Sequence, residues 1–138
     1  MHRFFPFWLE HFGHLEHVAS FWPHRHQPNV LFVHYNDLKA DLSGEMRRIA
    51  EFLQLDVADD LFQACVDRCT FEKMREDPER MGKFDLFEGG LKGFIFKGTN
   101  RRWKNVLNAE ALVLYERRVA AQLPADAAAW MQHGGHRD

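Results

Sequence analysis

The stretch "NVLFVHYNDLKADLSGEMRRIAEFL", residues 29–53, changes character part-way along. Residues 30–35, VLFVHY, form a short, nearly continuous apolar run rich in β-formers, which is how a strand buried in a parallel sheet reads. From Leu38 the apolar residues switch to helical spacing. Leu38, Leu42, Met46, Ile49, Ala50 and Leu53 fall on one stripe, while Lys39, Asp41, Glu45, Arg47, Arg48 and Glu51 share the other face. Asn36 is a suitable cap for that helix. A strand running straight into an amphipathic helix predicts an α/β protein, mostly helical, with one clear strand at about 30–35. One strand makes no sheet. Either weaker strands lie within 93–97, or the chain is part of a larger α/β domain.

On either side the pattern is helical. Residues 7–22 place Phe7, Trp8, Phe12, Leu15, Val18 and Trp22 at helical spacings and predict a helix, and Pro23 and Pro28 bracket a histidine-rich turn. A helix is predicted over 58–68. Thr70 then caps a short helical turn, FEKMRED, that stops before Pro78. Residues 79–106 have weak periodicity and read as a long ordered loop, an uncommon and usually functional feature in a compact domain. Helix returns over 108–122 behind Asn108, and Pro124 opens a last short helix ending at HGG.

The 138 residues fit one domain. A hydrophobic content of 46%, with 13 Phe and 4 Trp, is too apolar for a disordered chain. The formal charge of −2 supplies no global field toward DNA or an acidic membrane, so any anion site must be local. No apolar run approaches the roughly 20 residues of a membrane span. The first residues interrupt their apolar stretch with Glu10 and histidines and lack a small-residue cleavage site, so no signal peptide is expected. Cys65 and Cys69, four residues apart, read as two reduced thiols of a cytoplasmic protein, because a disulfide there would tie almost nothing.

The loop stretch "GGLKGFIFKGTNRRWKN", 89–105, carries four glycines, five cations and three large aromatics. It is no Walker A loop: Gly93 and Gly98 have the spacing, but Thr99 stands where lysine is required, and Phe94, Ile95 and Phe96 fill the interior. Lys97 beside Gly98 still makes an anion contact plausible, with a charge next to backbone that a ligand can approach closely. The plain alternative is a solvated basic loop anchored by Phe94 and Trp103. Nucleic-acid binding is disfavoured by the nearby acids and the acidic whole.

His11, His14 and His17 recur every three residues, but on a helix His11 and His17 lie about 120° apart, so the three do not share one ion easily. They read as a partly exposed row beside aromatic core positions. The cysteines have no paired base nearby in sequence and read as core thiols. Asp37, Asp59 and Asp60 are explained by helix starts.

Three stretches in order resemble the C-terminal half of the sulfotransferase family that uses 3′-phosphoadenylyl sulfate. Residues 29–53 are similar to the family's strand ending in Tyr-Glu-Asp-Leu-Lys and its following helix. "CTFEKMREDPE", 69–79, is similar to its Thr-Ser-Phe-x-x-Met-Lys-x-Asn-Pro segment. "FIFKGTNRRWKNVLNAEALVLYERRVAAQL", 94–123, is similar to its Arg-Lys-Gly-x-x-Gly-x-Trp-Lys signature. The resemblance implies the C-terminal part of a P-loop-NTPase-like three-layer α/β/α fold. The chain is then a single partial domain over 1–138: a helix and turn over 7–28, strand and helix over 29–57, adenine-side helices over 58–78, a nucleotide lid over 79–106 and C-terminal helices over 107–133.

The resemblance also implies a cofactor site. Tyr35 lies by the nucleotide at the end of its strand, Cys69, Thr70, Phe71 and Met74 pack around the adenine with Phe71 as the stacking ring, and Phe96, Lys97 and Gly98 cover the 3′-phosphate. The ligand implied is 3′-phosphoadenylyl sulfate or its product adenosine 3′,5′-bisphosphate. Two positions depart from the pattern. Phe96 stands where the cytosolic animal enzymes carry a phosphate-binding arginine, and Arg101 replaces the second glycine of the signature. The family's 5′-phosphosulfate loop, Pro-Lys-x-Gly-Thr-Thr-Trp, and a histidine in the catalytic context are not found here, so no residue is assigned as catalytic; the histidine spacing likewise gives no metal ligand.

The expectation is a cytoplasmic sulfotransferase portion, truncated or completed by another chain, that contributes to nucleotide binding and is inactive alone. Its partners are the nucleotide cosubstrate and an acceptor the sequence does not identify, without nucleic acid or membrane, and with self-association or pairing to an N-terminal half in view. The rival readings are a non-catalytic helical interaction module derived from that fold and a histidine-rich metal-binding protein.

Overall fold

Helices dominate the computed structural model, which describes residues 4–77, 98–100, 103 and 106–135. The chain divides into two units, Met1–Asp37 with Arg101–Asp138, and Leu38–Asn100.

In the first unit the helix predicted over 7–22 is two helices, α1 (Phe4–His11) and α2 (His14–Phe21). The break is at Gly13, whose φ of +59° lies in the left-handed region that ends a helix readily only at glycine. A single 3₁₀ turn, Trp22–His24, follows. Helices α7 (Ala109–Gln122) and α8 (Ala125–His133) complete the unit. Asn108 caps α7 by accepting the Ala111 N–H at 2.9 Å, and Gly134 ends α8 with φ +76°. The helices described between α2 and α7 in sequence are α3 to α6.

The first unit's core joins Leu9, Leu15 and Trp22 to Val119, Leu123 and Ala127, with Leu15 only 1% exposed. Trp22 is its polar handle as well. The indole N–H donates to Asp126 at 3.0 Å, Arg25 pairs with the same carboxylate at 3.3 Å, and the Arg25 guanidinium lies 4.8 Å from the Trp22 ring centroid. The indole N–H is the largest influence and holds the Asp126 carboxyl below its usual range; burial opposes it, and the Ala127 N–H and Arg25 add to the lowering.

The strand expected over about 30–35 is not formed among the described residues. Residues 30–34 run without a ladder partner, and Tyr35 already begins a helix. The apolar run is consumed by side-chain packing instead. Phe32 stands edge-on to both Trp22 (5.6 Å between centroids) and Trp130 (5.1 Å), and His34 meets Trp130 at 5.2 Å. Bulky β-formers fill an aromatic pocket as well as they fill a sheet, and without a neighbouring strand only the first use is open to them.

Residues 34–37 are tied to the end of α8. Nδ1 of His34 accepts the Asn36 N–H at 3.0 Å, so its Nε2 carries the proton and donates to the Met131 carbonyl at 3.1 Å. Asn36 Nδ2 donates to the His133 carbonyl, and both Asp37 carboxylate oxygens accept the Gly135 N–H, at 3.0 and 2.8 Å. These bonds satisfy backbone groups that the end of a helix leaves open.

The single helix expected after the apolar run is likewise two, α3 (Tyr35–Ala40) and α4 (Leu42–Phe52). Asn36 is not the cap; it sits within α3. The cap of α4 is Asp41, which accepts the Gly44 N–H at 2.8 Å. This reset of helical phase moves Leu53 out to the surface and turns Glu45 inward, where it is 2% exposed and paired with Arg48 at 2.7 Å. The chain leaves α4 through Gln54 at φ +56°, with the Leu55 N–H reaching back to the Ala50 carbonyl at 2.9 Å.

Helices α5 (Asp59–Arg68) and α6 (Phe71–Glu76) follow, as predicted. Phe62 and Val66 are the buried residues of α5, and the Arg47 guanidinium lies 4.4 Å from the Phe62 ring centroid.

Candidate functional site

Four of the residues singled out from sequence are placed by the α5–α6 junction and the helix it starts. Cys69 is the C-cap of α5, with its N–H returned to the Cys65 and Val66 carbonyls at 3.1 and 3.0 Å and its side chain exposed. Thr70 is extended, and its hydroxyl both donates to the Asp67 carbonyl at 2.7 Å and accepts the Lys73 N–H at 3.4 Å. That pair of bonds turns the chain and starts α6 at Phe71. Phe71 and Met74, three apart on α6, are both half-buried. Lys73 is committed to its own helix: a 2.6 Å bond to Glu76 raises its pKa.

Gly98 closes the site on one side of Phe71. Its φ is +58°, and a Cβ there would stand 2.7 Å from both Cδ2 and Cε2 of the Phe71 ring. Backbone therefore lies against the aromatic ring at a distance only glycine permits, in a conformation only glycine adopts without strain. The Lys39 ammonium donates to the Gly98 carbonyl. Ring, backbone and ammonium come from α6, from the start of the 98–100 segment and from α3, all within residues 38–100. Chemically the set offers a stacking face for a planar base and, beside it, close backbone for an anion, with a cation bonded to the carbonyl of that backbone.

Tyr35 is the first residue of α3, in the first unit, and is 58% exposed. Phe96 and Lys97 lie outside the described residues, as does Arg101 and most of the predicted lid. Lys39 is the residue that sequence reasoning missed. It read as one more charge on the polar face of a helix, and nothing local signals a bond to a glycine 59 positions away.

The histidines are spread over separate aromatic partners. His11 stacks on Phe7 at 4.2 Å, His14 on Trp8 at 4.3 Å, and His17 meets Phe21 at 5.0 Å. Among the described residues no three of His, Cys, Asp and Glu are grouped to hold a metal ion, and no helix is long and apolar enough to cross a membrane.

Residues 12–123 match the sulfotransferase domain family. Among curated relatives, Sulfotransferase 1C2 of Homo sapiens is 30% identical over 65% of this chain and 31% of its own length. Luciferin sulfotransferase of Photinus pyralis is 26% identical over 73% of this chain and 29% of its own. Glycolipid sulfotransferase of Mycobacterium bovis is 27% identical over 87% of this chain and 37% of its own. No solved structure matches. The chain spans about a third of the length of these relatives, and the family match covers most of this chain from α2 through α7. With a match of that extent, running through both units and across the Phe71–Gly98 site, the chain belongs to the sulfotransferase domain family.

Proposed function

We propose that this chain contributes the adenine and 3′-phosphate side of a site for 3′-phosphoadenylyl sulfate, in an enzyme that transfers the sulfuryl group to a hydroxyl or amine. The observation that carries this reading is the Phe71 ring with Gly98 backbone packed at its side. Phe71 would stack on the adenine, with Cys69, Thr70 and Met74 around it. The backbone at Gly98, together with Lys97 and Phe96, would cover the 3′-phosphate. What supports the reading is adjacency: the missing side chain at Gly98 lets its backbone pack directly against the Phe71 ring, so a backbone segment able to meet a phosphate lies beside a ring able to stack on a base.

Sulfuryl transfer, like phosphoryl transfer, depends on in-line positioning and on neutralising charge at the transferred group and leaving oxygen. In our reading the residues named here bind and orient the nucleotide, while the reacting centre is built by residues outside this chain. The chain alone is then inactive.

Calorimetric titration with adenosine 3′,5′-bisphosphate tests the site. Phe71→Ala should weaken binding by about tenfold, the loss of one base–aromatic stack, and Lys97→Ala should weaken it comparably through a lost charge-assisted contact. Binding that neither change weakens overturns the assignment. Incubation with 3′-phosphoadenylyl sulfate and a panel of phenols and amines should release no bisphosphate above background; turnover would overturn the inactive reading.

A second reading is favoured by a separate observation. Phe4, Phe7 and Phe12 are each at least half exposed, more apolar surface on one short segment than solvent alone explains. A helical interaction module would use them for self-association. Mass rising with concentration in sedimentation, together with no heat on nucleotide titration, would favour that module.

A further inference from the structure

We propose that Lys39 is a positioning residue for phosphate recognition: its ammonium holds the Gly98 carbonyl, fixing the Gly98 backbone against Phe71. The inference rests on the nucleotide reading given above and adds a residue that it does not contain.

Gly98 is constrained from two directions. The Phe71 ring occupies the space where a side chain would be, and Lys39 bonds to the carbonyl. Glycine left to itself is the most conformationally free residue, so backbone meant to meet an anion loses binding free energy when it is ordered. Two fixed contacts remove much of that loss before ligand arrives. The bond also acts through the peptide unit. No peptide among the described residues is cis, so the Thr99 N–H points opposite to the carbonyl that Lys39 engages. A cation on the carbonyl polarises the whole amide, which makes that N–H a stronger donor toward an anion on the far side. Lys39 is thereby committed to the carbonyl, and the role assigned is to orient the groups that touch phosphate, not to touch it.

A lysine on the surface usually contributes little, because it costs side-chain entropy to fix and its charge is screened. Here the acceptor is a single neutral carbonyl in a left-handed residue. The gain is in the geometry of that residue, not in overall stability, so the effect should appear in ligand discrimination while folding is little changed.

The test compares wild type, Lys39→Met and Lys39→Arg of the full chain, titrated calorimetrically with adenosine 3′,5′-bisphosphate and with adenosine 5′-monophosphate, which lacks the 3′-phosphate. Lys39→Met should lose about tenfold for the bisphosphate and less than about twofold for the monophosphate, with Lys39→Arg close to wild type. Equal losses for the two nucleotides, or none, overturn the proposal. Hydrogen–deuterium exchange of the segment 98–100 without nucleotide is the second arm. Faster exchange in Lys39→Met is expected, and unchanged exchange overturns the Lys39 bond itself. Wild type that binds the two nucleotides alike overturns the nucleotide reading instead, whatever the exchange shows.

Discussion

Gly98 and Phe71, 27 residues apart in sequence, share one volume: the ring of Phe71 occupies the space that a Cβ on Gly98 would need, at 2.7 Å. Gly98→Ala must therefore displace the ring and adopt φ +58° with a side chain, a strain of roughly 1–2 kcal/mol before any clash. The expected outcome is a lower melting temperature together with at least tenfold weaker binding of adenosine 3′,5′-bisphosphate, checked by thermal denaturation and calorimetry. Unchanged binding would mean that the ring and this backbone do not act together.

At the end of α8 the same logic applies with polar neighbours. A Cβ on Gly134 would stand 2.6 Å from an Asp37 carboxylate oxygen and 2.8 Å from His34 Nδ1, at φ +76°. Gly134→Ala should cost about 2–3 kcal/mol in denaturant unfolding, from backbone strain plus the disrupted Asp37 cap. Asp37→Ala should cost less. The double variant should cost less than the two together, because removing the carboxylate clears the space.

His14 makes stability depend on pH. Neither ring nitrogen has a hydrogen-bond partner among the described residues, and the ring lies on Trp8. Burial lowers its pKa from 6.5, more than Glu16 raises it. The unfolded chain then binds the proton more tightly than the folded one. The contribution of His14 is thus whole above about pH 6.5 and is lost as pH falls from there through the lowered folded value. Urea midpoints measured between pH 7.5 and pH 5 should decline less steeply in His14→Phe than in wild type; parallel slopes would refute this.

The Glu45–Arg48 pair puts one nearly buried carboxylate inside the second unit. Arg48→Met leaves that charge without its close partner. The expected loss is roughly 2–3 kcal/mol by denaturant titration, below the 3–5 typical of fully buried pairs because the Arg48 side chain keeps 28% exposure. Glu45→Gln should cost less, since an amide needs no counter-charge.

Gln54 holds φ +56° after α4, a conformation that glycine adopts freely. Gln54→Gly should stabilise by about 0.5–1 kcal/mol, a rise in melting temperature of a few degrees. A destabilised variant would show that the Gln54 side chain contributes more than its backbone strain costs.

Local chemistry was legible in the sequence, and phase and partners were not. Thr70 and Asn108 cap where their side chains predict, because a cap depends on residues two or three positions away. The helix breaks at Gly13 and Asp41 were hidden by apolar spacing that continues across them. Asp41 appeared as one more charge on a polar face, and Leu53 was assigned inward in place of Glu45. The run 30–35 misled for a different reason. A buried strand and an apolar connector share a composition, and they differ only in whether another strand lies alongside. In the candidate site, the Thr70–Phe71–Met74 helix start could be read directly. The Lys39–Gly98 contact could not, since no pattern joins residues so far apart.

The first unit draws on both ends of the chain, with Leu9, Leu15 and Trp22 from one and Val119, Leu123 and Ala127 from the other. During synthesis, residues 38–100 are therefore complete before half of that core exists. Helices α4 to α6 can pack on the ribosome, whereas Trp22 and its neighbours wait, uncovered, for α7 and α8 to emerge. Apolar side chains left uncovered in that interval favour aggregation, so the order in which the chain emerges bears on its folding.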